Sequence, residues 1–164
     1  MITARTTSAA ATRELATELA AFLQAGDLLV LAGDLGTGKT TFTQGLARGL
    51  GVTETVTSPA FVLARCYEGR IPLAHLDVYR LDTLQELTDL GIAEMLDAGG
   101  VTVVEWGDVV LPALPSDFLE IKLAGPGPDD DEDHRNIDLR AVGPSWPPRV
   151  GALRTALSRW EPPC

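Results

Sequence analysis

The residues whose chemistry is easiest to recognise form an unbroken run of eight, Gly33-Asp34-Leu35-Gly36-Thr37-Gly38-Lys39-Thr40. The run fits G-x-x-x-x-G-K-[ST], a phosphate-binding loop in which backbone N–H groups surround an anion, lysine reaches the outer phosphates and a hydroxyl meets Mg²⁺. It therefore predicts nucleotide binding; the alternative interpretation is an ordinary glycine-rich turn. The predicted nucleotide-binding residues are Asp34, Leu35, Gly36, Thr37, Gly38, Lys39, Thr40 and Thr41.

The chain around this loop has the order that a phosphate-binding loop requires. Residues 28–32 are an uninterrupted apolar run, typical of a buried strand. Residues 41–50 follow with Phe42, Leu46 and Leu50 at helical spacing, and Gly51 is placed to end that helix. Such a helix would direct its unpaired N–H groups and the positive end of its dipole at a bound phosphate.

A phosphate-binding loop that uses Mg²⁺ needs a carboxylate from a neighbouring strand, because the ion prefers oxygen ligands. Glu105 follows residues 101–104, an apolar and β-branched run typical of a central parallel strand. Asp77 follows another predicted strand and precedes Arg80. Both carboxylates are expected at the carboxyl edge of the sheet, where open α/β folds bind ligands. The alternative for each is a surface carboxylate at a strand end.

Three further side chains near these carboxylates each allow two interpretations. His75 is spaced to share a strand face with Asp77, and a buried structural histidine is favoured over a catalyst. Trp106 either stacks near the nucleotide or packs beside the central strand, and packing is favoured. Asp108 is expected to cap the following turn.

Composition favours one α/β domain, since the 164 residues are 45% apolar and can form a substantial core. The chain shows no secretory leader and no apolar stretch near the ~20 residues of a membrane span, so we expect a cytoplasmic protein. Cys66 and Cys164 are expected to be free thiols, because they are too few and too far apart for a disulfide framework. The one metal we expect is Mg²⁺ bound with the nucleotide.

The charge balance bears on the class of partner. The formal net charge is −10, and lysine occurs twice, at Lys39 and Lys122. Because nucleic-acid affinity rests largely on Lys and Arg at phosphates, we expect no autonomous binding to nucleic acid. Action on a nucleic-acid pathway through a partner stays open.

The remaining patterns predict a P-loop NTPase-like α/β fold, a mixed sheet with parallel core strands, flanking helices and antiparallel hairpins at its edge. The predicted strands are residues 2–6, 28–32, 61–67, 71–76, 101–104, 118–124 and 136–142. The predicted helices are 9–24 with Thr7 or Ser8 as cap, 41–50, one from Asp82 or Thr83 to about residue 98, and a last one from Pro147. Residues 53–61 are either a nucleotide-sensing switch loop or a plain connector. The acidic run 129–133 is expected to be a solvated hairpin loop.

Four motifs in order resemble the TsaE family: the loop continued through Thr41, Ser58-Pro59-x-Phe61, His75-x-Asp77-x-Tyr79-Arg80 and Glu105-Trp106. Members of this family, once called YjeE, are small bacterial ATPases required for the threonylcarbamoyl modification of adenosine in tRNAs that read codons starting with A. The resemblance covers nearly the whole chain and is far more specific than the loop alone. It implies ATP and Mg²⁺ as ligands, and TsaD and TsaB subunits as partners.

Matched position by position, the resemblance implies roles for several side chains. Lys39 corresponds to the phosphate-binding lysine, and Thr40 and Glu105 correspond to the Mg²⁺ ligands. Asp77 corresponds to an aspartate needed for function, which either orients water or links the switch loop to the metal. This chain departs from the family pattern Ser-Pro-Thr-Phe, because Ala60 replaces the threonine. The missing hydroxyl argues against a direct catalytic role at that position.

Two other functions fit the loop when it is considered alone. A small-molecule kinase would transfer a γ-phosphoryl group, but the middle third has few arginines and no evident helical lid insertion. A nucleotide-sensing module would bind without hydrolysing. The predicted catalytic residues are Lys39, Asp77, Glu105 and Arg80. Arg80 either completes the active site or docks a partner, and its spacing leaves both open.

Overall fold

A mixed sheet of seven strands organises the part of the chain that this computed structural model describes, residues 1–59, 64–79, 84–89 and 91–163. The strands are β1 (Ile2–Thr6), β2 (Leu28–Ala32), β3 (Ala64–Tyr67), β4 (Leu73–Asp77), β5 (Val101–Glu105), β6 (Phe118–Ala124) and β7 (Arg135–Val142). The helices are α1 (Ala9–Ala20), α2 (Lys39–Gly49), α3 (Leu84–Asp89), α4 (Ile92–Asp97), α5 (Pro147–Ala156) and two 3₁₀ helices, Gly107–Ala113 and Ser158–Trp160. None of these helices combines the length and the apolar character that crossing a lipid bilayer would take.

The strands lie in the order β1-β7-β6-β2-β5-β4-β3. Strand β2 is parallel to both of its neighbours, β5 and β6, and β4 is parallel to β5. Strand β7 is antiparallel to both of its neighbours, β1 and β6, and β3 is antiparallel to β4. This topology confirms the predicted mixed sheet with a parallel core. The carboxyl ends of β2, β4, β5 and β6 consequently share one edge, where the segments that follow them meet.

The sheet is covered on both faces around β2, whose five residues are all buried. On one face, α1 and α2 pack against it through an apolar cluster that includes Leu15, Leu19, Phe42 and Leu46. On the other face lies a second cluster that includes Val30, Leu76, Val104 and Phe118. A strand covered on both faces needs apolar side chains at every position, which explains the unbroken apolar run before the phosphate-binding loop.

Two predicted helices have the wrong extent. The single helix predicted to end near residue 98 is divided into α3 and α4, and Gly91 between them has φ +74°, a left-handed conformation that interrupts a helix. The helix predicted for residues 9–24 ends at Ala20. Its predicted start is confirmed, because the Ser8 hydroxyl accepts a hydrogen bond from the Ala11 N–H at 3.0 Å.

The predicted hairpin between β3 and β4 is confirmed, with Tyr67 opposite Leu73 and Ala64 opposite Leu76. The first residues of the strand predicted for 61–67 lie outside the described part of the chain, as do the predicted caps Asp82 and Thr83. Cys66 is a free, exposed thiol, as expected, and Cys164 is also outside the described residues.

Candidate nucleotide-binding site

A cavity of about 320 Å³ lies where β2, β4 and β5 end. It brings together groups that are far apart in the sequence: the phosphate-binding loop, Asp77 and Glu105. The lining residues are Leu35, Gly36, Gly38, Lys39, Thr40, Thr41, Ser58, Asp77, Glu105, Trp106 and Arg135.

The loop between β2 and α2 has a shape that depends on glycine. Gly33 has φ +144°, and a Cβ there would lie 2.3 Å from the Leu123 carbonyl oxygen in β6. Gly38 has φ +96° and caps α2. The Thr37 hydroxyl and N–H both donate to the Asp34 carbonyl oxygen, at 2.8 and 3.3 Å, which closes the loop on itself. The chain thus leaves the sheet sharply and begins α2 at the cavity, where the first N–H groups of a helix favour an anion.

Lys39 is buried, and its Nζ donates to the carbonyl oxygens of Gly33 at 2.7 Å and Asp34 at 2.8 Å. Nζ also lies 3.9 Å from the centroid of the Trp106 ring, a cation–π contact. Burial lowers the pKa of Lys39, and the nearby carboxylates, first among them Glu105, oppose that shift. The ammonium group is therefore fixed at the cavity wall between loop carbonyls and an aromatic face.

Thr40 and Glu105 meet directly, because Thr40 Oγ1 donates to Glu105 Oε1 at 3.0 Å. Glu105 ends β5 in register with Asp77, which ends β4, so that the two carboxylates stand side by side at the sheet edge. Both are buried, with exposed fractions of 2% and 8%. Asp77 Oδ1 also accepts from the Tyr79 N–H at 3.0 Å. The alternative interpretation, surface carboxylates at strand ends, is therefore wrong for both.

His75 is fully buried in β4, which agrees with the favoured interpretation of a structural histidine, and its Nε2 lies 3.5 Å from Glu105 Oε2. Neither of its ring nitrogens has a hydrogen-bond partner in the described part of the chain. The histidine thus packs against the carboxylate from the side of the core, and it does not line the cavity.

The packing interpretation favoured for Trp106 is confirmed, and the residue also borders the cavity. Its backbone has φ +61°, which turns the chain out of β5. Its ring lines the cavity, packs against the apolar cluster of that sheet face and lies 4.7 Å from the Tyr79 ring at an interplanar angle of 40°. Trp106 also occupies the capping position of the following 3₁₀ helix, and Asp108, the expected cap, lies in the first turn instead.

Arg135, the first residue of β7, is the cavity residue that the sequence patterns missed. Its Nε donates to the Thr37 carbonyl oxygen at 3.1 Å and its Nη2 to that of Gly36 at 3.4 Å. Its Nη1 donates to the carbonyl oxygens of Glu132 at 2.5 Å and His134 at 2.6 Å. One guanidinium thus joins the phosphate-binding loop to the acidic loop. No spacing rule signals a contact across 98 positions of sequence.

The acidic loop, residues 125–134, joins β6 and β7 as the expected hairpin loop, and four of its acidic residues are exposed: Asp129, Asp131, Glu132 and Asp133. Asp130 is the exception. Asp130 pairs with Arg5 of β1, and its Oδ2 accepts from the Gly127 N–H at 3.0 Å. The hydrogen bond from the Gly127 N–H, and to a smaller extent the positive charge of Arg5, hold the pKa of Asp130 below its usual range. Arg5 Nη2 also lies 3.0 Å from His134 Nδ1. Asp131 agrees with the expectation, since its side chain is 92% exposed.

The phosphate-binding loop therefore has different surroundings on its two sides. We call Asp77, Glu105 and Trp106 the carboxylate side, and Arg135 with residues 125–134 the arginine side. Ser58, in the segment interpreted as a switch loop or connector, also lines the cavity. Arg80 and Ala60 lie outside the described residues, and the expectations for them stay predictions.

Comparison with known proteins identifies relatives of this arrangement. Residues 6–137 match the family model described as threonylcarbamoyl adenosine biosynthesis protein TsaE. The tRNA threonylcarbamoyladenosine biosynthesis protein TsaE of Bacillus subtilis is 44% identical over 140 residues, which cover 85% of each chain. The protein of that name from Streptomyces coelicolor is 42% identical over 138 residues, covering 82% of this chain and 93% of its own. The crystal structure of Bacillus subtilis YdiB superposes with a TM-score of 0.73 at 38% identity and covers 96% of this chain and 94% of its own.

Proposed function

This chain belongs to the TsaE family, and from that premise we propose that it is a Mg²⁺-dependent ATPase acting in the biosynthesis of threonylcarbamoyladenosine in tRNA. We propose further that it acts through TsaD and TsaB subunits, which the family resemblance implies, and that it does not bind nucleic acid by itself. The observation that carries the ATPase assignment is the 3.0 Å hydrogen bond between Thr40 and Glu105.

This bond joins the two oxygen ligands that a P-loop enzyme uses for Mg²⁺, the loop hydroxyl and a carboxylate from a neighbouring strand. Oxygen atoms are the donors that Mg²⁺ prefers, so Thr40 and Glu105 fit the ion and would hold it. When bound with the nucleotide, Mg²⁺ neutralises charge on the β- and γ-phosphate oxygens.

Lys39 supplies a cation for the phosphates. An ammonium group has three donors, and two of them are engaged by the carbonyl oxygens of Gly33 and Asp34. One N–H is left to turn toward a phosphate without dismantling the loop. The N–H groups at the start of α2 would donate hydrogen bonds to the phosphate oxygens, as in other phosphate-binding loops.

Asp77 is proposed to orient the attacking water or accept its proton. Its Oδ1 is held by the Tyr79 N–H, and its carboxylate lines the same cavity as Lys39. A buried carboxylate fixed by a backbone N–H keeps its direction, which general-base catalysis requires.

Hydrolysis by the isolated chain should be slow, because charge developing on the γ-phosphoryl oxygens must be met by further cations. An arginine supplied in cis or in trans can raise turnover by ~10³ to 10⁵. Arg80 stays the predicted candidate in cis, either catalytic or docking. Leu35, which lines the cavity, exposes 84% of its surface, and Tyr79, whose ring packs against that of Trp106, exposes 59%. Exposed apolar side chains next to the site favour a protein partner there.

The test is phosphate release from ATP and Mg²⁺ by the purified chain, alone and with TsaD and TsaB from the same organism. We expect slow release by the chain alone and a clear increase with both partners. ATP should also strengthen assembly, because a ligand that is bound more tightly in the complex must favour the complex. Lys39→Ala is the inactive control.

Three results would contradict the proposal, each in its own way. Rapid release that the partners leave unchanged would indicate a self-sufficient ATPase. A phosphorylated metabolite formed in cell extract would indicate a kinase. Tight ATP binding without release under any condition would indicate a nucleotide sensor.

A further inference from the structure

His75 is a buried polar side chain whose position is not explained by the stability of the fold. It is fully buried in β4, and neither ring nitrogen has a hydrogen-bond partner among the residues that the structure describes. Both nitrogens of an imidazole donate or accept hydrogen bonds, and a buried ring without partners lowers the stability of the folded chain. An apolar side chain of similar size would suit the same place better. The histidine therefore calls for a functional explanation.

The ring of His75 faces a carboxylate of the nucleotide site. Its Nε2 lies 3.5 Å from Glu105 Oε2, and both side chains are shielded from solvent. Sheet register explains the approach, because Glu105 is opposite Asp77, and His75 precedes Asp77 by two positions on the same face of β4. The separation exceeds that of an ordinary hydrogen bond, yet an N–H and a carboxylate attract each other strongly where water does not screen them. Nε2 can therefore influence the orientation of Glu105.

The other oxygen of Glu105 has its own partner, since Oε1 accepts the hydrogen bond from Thr40 Oγ1 at 3.0 Å. The terminal torsion of a glutamate is broad, so this bond alone leaves the carboxylate able to rotate. A neighbour for each oxygen, Thr40 from α2 and His75 from β4, restricts that rotation. Carboxylates that ligate metals are commonly held by such outer partners, and loss of one reduces metal affinity about 10- to 100-fold.

We propose that His75 is a positioning residue for the metal site. Its Nε2–H directs Oε2 of Glu105, so that Oε1 stays beside the Thr40 hydroxyl, where the two oxygens would hold Mg²⁺. His75 acts through Glu105, because it does not line the cavity. The unpartnered ring thus lowers fold stability in exchange for a carboxylate of fixed direction. The inference rests on the proposed function, in which Thr40 and Glu105 are the metal ligands.

The experiment measures the ATP affinity of the full chain by calorimetry, once with Mg²⁺ and once in EDTA. The ratio of the two affinities reports how well the protein holds the ion beside the nucleotide. In His75→Leu this ratio should fall about tenfold, the lower end of the range for an outer partner, because the phosphates of ATP also hold the ion. Affinity in EDTA should stay within about twofold, since the ion is then absent. The urea midpoint should stay unchanged or rise.

Two further variants separate positioning from packing. Thr102→Val is the matched control, because Thr102 lies on neighbouring β5 and its hydroxyl is also buried without a partner in the described part of the chain. It should leave the affinity ratio unchanged. His75→Gln keeps an N–H donor on a side chain of similar reach, so its ratio should stay within about threefold of wild type. Equal ratios in His75→Gln and His75→Leu would overturn the role of the N–H.

A measurement on the wild-type ring does not depend on how the variants fold. The chain has two histidines, His75 and His134, so a His134→Gln sample identifies the ring signals of His75 in ¹H–¹⁵N spectra. We expect Nε2 of His75 to carry a hydrogen. A ring with hydrogen on Nδ1 alone would overturn the inference, because Nε2 could then not donate toward Glu105.

The wild-type affinities separate this inference from the proposed function. Equal ATP affinity with Mg²⁺ and in EDTA would overturn the metal assignment, and the role of His75 with it. A wild-type preference for Mg²⁺ that His75→Leu fully retains would overturn the role of His75 alone. Parallel losses of both affinities together with a lower urea midpoint would also overturn it, because the histidine would then serve the fold.

Discussion

On its carboxylate side the phosphate-binding loop faces residues that end two parallel strands, whereas on its arginine side it is held by a residue next to a connecting loop. Glu105 and Asp77 are almost fully buried, and sheet register places them side by side. Arg135 is only partly buried and reaches the loop through backbone carbonyls. Two different ways of positioning a side chain therefore meet at one loop.

The two kinds of positioning suit two different functions, catalysis and ligand recognition. Groups that take part in chemistry need fixed geometry, which strands and a buried environment supply. Groups that recognise the variable part of a ligand are commonly carried on loops over such a scaffold. The comparison predicts that changes on the carboxylate side chiefly reduce turnover, whereas changes on the arginine side chiefly reduce nucleotide affinity.

The largest effect is expected from Glu105→Gln or Thr40→Ala. Both variants lose a proposed Mg²⁺ ligand, so Mg²⁺-dependent phosphate release should fall on the order of 10²-fold or more, each tenfold being about 1.4 kcal/mol of barrier. Nucleotide affinity measured in EDTA should change little, because the ion is then absent in every sample. Equal losses in both measurements would break the assignment and indicate misfolding.

Lys39→Ala should reduce nucleotide affinity about 10- to 100-fold, since a hydrogen bond to a charged group contributes about 1.5–3 kcal/mol. The matched control is Lys122→Ala, which removes the other lysine, an exposed residue of β6. Fluorescence or calorimetric titration with ATP measures both variants. Unchanged affinity in Lys39→Ala would mean that the loop has a structural role only.

The same contrast explains how much could be predicted from the sequence. A buried parallel strand is recognisable from its apolar run, and the residue after it must lie at the carboxyl edge, so Glu105 and Asp77 could be placed without a structure. Spacing along the strand placed His75 on the same face as Asp77, and a buried structural histidine was the favoured interpretation. The carboxylate side was thus largely predictable.

The arginine side was not predictable, because its contacts are set by tertiary structure. Arg135 and Thr37 are 98 positions apart, and the contact requires β6 to lie beside β2 and the acidic loop to fold back toward β1. The division of the helix at Gly91 was missed for a different reason. Its signal, a glycine within an apolar helical pattern, was present but is also tolerated inside helices.

A third prediction concerns the point where the two sides join, at the start of the loop. Gly33→Ala should lower the free energy of unfolding by about 2–4 kcal/mol, because a Cβ would approach the Leu123 carbonyl oxygen as well as face an unfavourable φ. Gly36→Ala, with positive φ but open space, should lower it by about 1 kcal/mol. Urea unfolding of both variants measures the difference. Equal losses would show that crowding at Gly33 does not matter.

The smallest effect is expected from Asp130→Asn, which loosens the arginine side. The pKa of Asp130 in the folded chain lies below its ordinary value of 3.8, so the carboxylate stabilises the fold fully above pH 3.8. That contribution is lost as pH falls through the lower, folded-state pKa. The stability difference between wild type and variant should therefore shrink in acid. Asp129→Asn, at an exposed position of the same run, should show no such dependence.

The central claim, that this nucleotide site serves tRNA modification, is tested most directly in a bacterium depleted of its own TsaE. The measurement is the threonylcarbamoyladenosine content of its tRNA after the depleted protein is replaced by this chain or by Glu105→Gln, expressed at equal levels. We predict that the wild-type chain restores the modified nucleoside and that Glu105→Gln, although folded, does not. Full restoration by Glu105→Gln would contradict the account.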